Sequence, residues 1–147
     1  MLGKTYPGQE CSAARALELV GERWTLLILR DAMFRGFVRY SQFVESLGIA
    51  TNILARRLER LVATGLMETR GTQARAAHLE YHLTQKGLDL KPVIVALTEW
   101  GDHWIEPGPV EFRRFDSEEA VRLEFHTSGG SEKIPPHEVV ARRRARN

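Results

Sequence analysis

Tyr40–Met67 reads YSQFVESLGIATNILARRLERLVATGLM, and its pattern decides the fold. Ser41 starts a short helix with Phe43, Val44 and Leu47 turned inward, and Gly48 makes a tight turn. A second helix follows from about Thr51 to Thr64, and Gly65 stops it. Leu54, Leu58, Leu61 and Val62 recur at the helical period as its apolar stripe. On a 100° wheel the opposite face carries Asn52, Arg56, Glu59, Arg60 and Ala63, with Arg57 on a flank. Two short strands then follow, Met67–Arg70 and Leu79–Leu83. In the second, Leu79, Tyr81 and Leu83 alternate with Glu80 and His82, the period of a half-buried strand.

Upstream, residues 1–10 contain Gly3, Pro7 and Gly8 and read as a flexible arm. Ser12 is the expected cap of a helix whose inner side is Ala13, Ala16, Leu17 and Val20, ended by Gly21. Trp24–Phe34, WTLLILRDAMF, is too long for an ordinary strand of ~5–6 residues and reads as a buried central helix. Downstream, Thr84 is an expected N-cap for a long helix reaching Trp104, which Pro92 should kink or split. Pro107-Gly108-Pro109 breaks the pattern. Beyond it Val121, Leu123 and Phe125 alternate with polar residues, a turn is expected at Ser128–Gly130, and Val139-Val140 is the candidate partner strand. The fold class is therefore mainly α with a small antiparallel hairpin: a winged helix-turn-helix over residues 11–107. Residues 108–147 form an extension, with a possible second hairpin and a basic tail.

The chain has 147 residues with 43% hydrophobic content, enough for one packed domain and its appendage. Net charge is only +2, but its distribution is uneven. Residues 39–75 hold six arginines against three glutamates, while residues 76–106 hold two lysines against five acids. The positive excess falls on the helix-turn-helix and the following loop, as on a surface that meets phosphates. The lone Cys11 excludes an internal disulfide and fits a reducing cytoplasm. No stretch approaches the ~18 apolar residues of a membrane span. The five histidines show no metal-ligand spacing, and there is no nucleophile elbow or phosphate-binding glycine loop. No cofactor, metal or enzymatic chemistry is expected.

A helix fits the DNA major groove and reads base edges with polar side chains near its N-terminal half. Thr51, Asn52, Arg56 and the flanking Arg57 are the candidates. Arg57 has a second reading, as an ion-pair partner of Glu45 or Glu59. Arg39 and Ser41, at the start of the preceding helix, are placed for phosphates, and Arg75 in the loop GTQARAAH for the neighbouring backbone or minor groove. The bland alternative is a solvated helix face; for this set, beside a basic loop, DNA is the favoured reading. Val93, Leu97, Trp100 and Trp104 carry more apolar surface than a peripheral helix of a small domain needs, which points to a homodimer. Residues 110–125 folding back over that surface is the alternative cover.

The chain resembles the HxlR-type winged-helix regulators, relatives of the MarR group. The matching segments are Cys11, LELVGERWTLLILRDAMFRGFVRYSQF (Leu17–Phe43), GIATNILARRLERLVATGLM (Gly48–Met67) and YHLTQKGLDLKPVIVALTEWG (Tyr81–Gly101). The resemblance implies a homodimeric transcription regulator that binds an inverted-repeat operator in double-stranded DNA. It also implies that Cys11 can sense oxidants, quinones or aldehydes, as the matching cysteine does in several relatives. An inert thiol stands as the other reading of Cys11, and a different small-molecule effector is also open. Two departures stand out: Ala76-Ala77-His78 replaces the family's proline-containing wing, and Ser12 follows the cysteine where proline is common. A winged-helix module for protein–protein assembly is the alternative function, although such modules usually lose a polar face like that of Asn52 and Arg56.

Overall fold

The computed structural model describes residues 5–71 and 78–144. Helix α1 spans Ser12–Val20, α2 Thr25–Phe34, α3 Tyr40–Leu47 and α4 Thr51–Ala63. Strands β1 (Met67–Arg70) and β2 (Glu80–Leu83) form an antiparallel ribbon with Met67 opposite Leu83 and Arg70 opposite Glu80. A short α5 (Gln85–Leu88), α6 (Lys91–Trp104) and a two-residue ladder, β3 (Phe125–His126) with β4 (Lys133–Ile134), complete the chain. The architecture is a winged helix-turn-helix, mainly helical with a β-hairpin.

The core forms where the helical stripes meet. Ile28 and Leu29 of α2, Phe43 of α3, Leu54, Leu58 and Leu61 of α4, and Met67 of β1 are buried together. Phe37 packs edge-on against Phe43, with ring centroids 6.3 Å apart. Gly48 ends α3 in the left-handed conformation (φ +58°), which residues with a Cβ adopt only with strain. That turn sets the entry of α4 two residues after the buried Ile49.

Several local expectations shift. Cys11, not Ser12, caps α1: its Sγ accepts the Ala14 N–H at 3.4 Å, so the helix starts one residue earlier than expected. Of the expected inner side of α1, only Val20 is buried; Ala13, Ala16 and Leu17 are exposed, and Ala14 is the second buried residue. Helix α3 begins at Tyr40 with Arg39 as N-cap, because Gln42 reaches back to accept the Val38 and Arg39 N–H groups at 3.0 and 2.9 Å. In β2 all four residues are half-buried, so the alternation is not expressed as exposure. The ribbon is joined by a third segment, since Tyr81 N–H donates to Val38 at 2.7 Å and Arg39 bridges Glu80. Both edges of β2 are thereby paired.

Pro92 splits the expected long helix. Thr84 caps α5, accepting the Gly87 N–H, and Leu90 opens α6 by accepting from Val93 and Ile94. Pro92 then lies in the first turn of α6, where a missing N–H costs nothing. Further along, β3 pairs with Lys133–Ile134 and not with Val139-Val140, which follow a 3₁₀ turn at Pro136–Glu138. The turn at Ser128-Gly129 between β3 and β4 brings Ile134 opposite Phe125, too early in sequence for residues 139–140 to pair.

The chain parts into two compact units, Met1–Ile94 and Val95–Asn147. In the second, the Leu123 N–H donates to Glu99 and the Gly108 N–H to Asp102, tying the extension to the end of α6. Phe115, Val121, Leu123 and Phe125 are exposed there.

Candidate nucleic-acid interface

The apolar stripe of α4 faces the core, so its opposite face must meet solvent. Thr51, Asn52, Arg56, Glu59 and Arg60 are all exposed. No side chain caps the N-terminus of α4, and its first turn has no acidic residue. The positive end of the helix dipole is therefore left for an anion from outside. Tyr40 holds this terminus in place: its hydroxyl donates to the Thr51 carbonyl, tying the start of α3 to the start of α4. At the other end, Thr84 Oγ1 donates to the Gly65 carbonyl and Lys86 Nζ to the Thr64 carbonyl, so the wing and α5 brace the C-terminus of α4.

Arg57 lies on the flank and its guanidinium pairs with Glu22 at 2.5 Å, in the corner between α1 and α2. The partner is neither Glu45 nor Glu59. Arg57 Nε is buried without a hydrogen-bond partner. Glu22 lies 35 positions away, so helical spacing could not reveal the pair. Arg56, one position earlier, points to solvent and makes no ion pair among the described residues.

Arg39 and Ser41 are both exposed at the start of α3. Arg39 Nη2 lies 3.4 Å from Glu80 Oε1, and His82 Nε2 lies 2.8 Å from Glu80 Oε2. The hydrogen bond with His82, joined by the positive charges of Arg39 and Arg70, holds the Glu80 carboxyl below its usual range against a smaller opposing effect of burial. Burial first, then the nearby Tyr40, raises the Tyr81 phenol above its usual value. Arg75 lies outside the described residues.

A second tie fixes α3. Asp31 is fully buried in α2, where Arg30 Nε and Nη2 both reach its Oδ1 at 2.8 Å and Ser46 donates to its Oδ2 at 2.6 Å. Arg35 joins Ser46 at 3.0 Å. Within the apolar run Trp24–Phe34, Asp31 carried no signal of this role, because its partner Ser46 lies on another helix.

On α6, Val93, Leu97, Trp100 and Trp104 follow at helical spacing and stand exposed, from 41% at Val93 to 69% at Trp104. Cys11 is exposed and free. Among the described residues there is no cluster of metal-ligating side chains, and no helix is long and apolar enough to cross a membrane.

The sequence and fold are similar to those of known proteins. Residues 19–109 match the family described as HxlR-like helix-turn-helix. An uncharacterized HTH-type transcriptional regulator of Mycobacterium tuberculosis, Rv3095, is 43% identical over 120 residues, 80% of this chain and 69% of its own. The crystal structure of PA1607, described as a candidate transcription factor, superposes with a TM-score of 0.79 at 36% identity, over 92% of this chain and 96% of that one. YodB, a transcriptional regulator of B. subtilis solved in its reduced form, superposes with a TM-score of 0.54 at 29% identity, over 68% of this chain and 99% of its own. YodB is also known in a quinone-bound form, at 30% identity and a TM-score of 0.52 over 61% of this chain and 94% of that one. By fold, by sequence match and by the helix-turn-helix at its centre, this chain belongs to the HxlR-like helix-turn-helix family of transcriptional regulators.

Proposed function

We propose that the protein is a sequence-specific DNA-binding regulator that acts as a homodimer on an inverted-repeat operator. The observation that carries this reading is the N-terminal face of α4, where exposed Thr51, Asn52 and Arg56 adjoin a helix end without cap or acid. Asn52 suits adenine and Arg56 suits guanine, each bidentate pair discriminating by ~1–3 kcal/mol. Arg39 and Ser41 hold phosphates, with Arg75 extending the contact from the wing. Arg57, engaged by Glu22, acts as a brace that sets the tilt of α4 rather than as a reader.

The second copy covers Val93, Leu97, Trp100 and Trp104, whose exposure in one chain is unusual for large apolar residues in a row. Two-fold symmetry then presents two α4 helices to half-sites about one DNA turn apart, ~34–36 Å. Cys11 is the proposed input for oxidants or electrophiles, supported by its exposure at a helix N-terminus and by a quinone-bound structural relative. Its setting is the reducing cytoplasm.

Selection from random duplex DNA tests the function. Enrichment of an inverted repeat is expected, and Arg56→Ala is expected to lower affinity for it at fixed salt while leaving the melting temperature unchanged. Binding that falls steeply with salt but enriches no sequence would leave only electrostatic association. No retained duplex at all would favour a winged-helix module for protein–protein assembly.

A further inference from the structure

Glu80 of β2 lies beside Arg39 and His82 and opposite Arg70, which itself pairs with Glu68 at 2.8 Å. Glu80 pairs across the ribbon with Arg70, bridges Arg39 on its other side, and shares its carboxylate between Arg39 Nη2 (3.4 Å) and His82 Nε2 (2.8 Å). Arg39 is the same residue whose position at the start of α3 suits a phosphate. An arginine cannot give its full charge to a phosphate while a carboxylate holds it, and a carboxylate beside a phosphate repels it.

We infer that Glu80 is a built-in counter-charge for Arg39, occupying in the DNA-free protein the place that a backbone phosphate takes in the complex. This rests on the DNA-binding reading above and deepens it. Glu80 is a positioning residue: it keeps Arg39 on the wing edge through a loose pair and lowers affinity for any duplex. Because a phosphate contact carries no base information, the effect is the same for every sequence.

The test uses the full chain and two duplexes of about 30 base pairs, one of selected sequence and one scrambled, titrated at several potassium chloride concentrations. Glu80→Gln is expected to tighten binding to both by the same factor, roughly two- to fivefold, the range for releasing one exposed ion pair. In an Arg39→Gln background the same change is expected to give a smaller gain. Glu80→Thr, which suits a strand, serves as the second variant should Glu80→Gln fail to fold. Unchanged or weaker binding by the folded variants overturns the inference. So does a gain confined to the selected duplex, or one undiminished without Arg39. A wild-type chain that retains neither duplex overturns the DNA reading itself, and the inference with it.

Discussion

Asp31→Ala removes the one fully buried carboxylate of α2, and its consequences can be worked from the contacts it makes. The carboxylate receives Arg30 Nε and Nη2 at 2.8 Å and Ser46 Oγ at 2.6 Å, with Arg35 Nε at 3.9 Å. Breaking a buried pair by removing one partner costs ~3–5 kcal/mol when the other charge is stranded. Here the arginine side chains keep 39% and 56% of their exposure, so water takes them back. What remains is the loss of charge-assisted bonds, ~1.5–3 kcal/mol each and not additive, offset by an end to the carboxylate's own desolvation. A net loss of about 2–3 kcal/mol follows. For a chain of this size that lowers the melting temperature by roughly 5–10 °C. Asp31→Asn keeps the volume, accepts from Arg30 and donates to Ser46, so its cost should be nearer 1 kcal/mol. Urea unfolding measures both, with the midpoint moving and the slope constant. Because the site is buried, 0.5 M salt should change the difference little. An Asp31→Ala variant within about 0.5 kcal/mol of wild type, or an asparagine variant worse than alanine, would refute the view that this carboxylate clamps α2 to α3.

The remaining predictions concern other sites. At Gly87 an added Cβ would stand 2.2 Å from the Leu66 carbonyl oxygen and 3.1 Å from Leu83 Cδ2, so Gly87→Ala should cost ~1–3 kcal/mol in thermal unfolding; an unshifted melting curve would show that α5 moves freely from Leu66 and Leu83. Leu97→Glu places a charge in the middle of the exposed α6 stripe and should convert a wild-type dimer to a monomer in light scattering at micromolar concentration; identical masses for the two proteins would remove this stripe from the interface. Cys11→Ser keeps an N-cap acceptor for the Ala14 N–H, so folding should be intact while the response to quinone in a reporter strain disappears; a full response would dismiss Cys11 as a sensor.

The period of Leu54, Leu58 and Leu61, the breakers Gly48 and Gly65, and the turn at Ser128-Gly129 were legible because they depend on neighbours a few residues away. So was the effect of Pro92, whose ring forbids the middle of a helix wherever it sits. Reading failed in fine local detail and where the partner is distant. Cys11 took the capping place of Ser12 because a thiol at that backbone position meets Ala14. The second hairpin chose Lys133–Ile134 because the turn's length sets the register, and short strands carry little pattern of their own. The half-burial of all of β2 came from a third segment, Val38–Arg39, which no alternation in residues 79–83 can foretell.

The candidate site divides along the same line. The sequence by itself determined which side chains of α4 face away from the core, since helical geometry and the leucine stripe leave Asn52 and Arg56 no other side. It also placed positive charge on the helix-turn-helix. Only the tertiary structure decided how each cation is engaged: Arg57 by Glu22, Arg39 by Glu80, Arg30 by a buried Asp31 that also binds Ser46. Ion pairs form through space at a few ångströms, and the chain brings together residues 35 or 41 positions apart only by packing its helices and wing around one core.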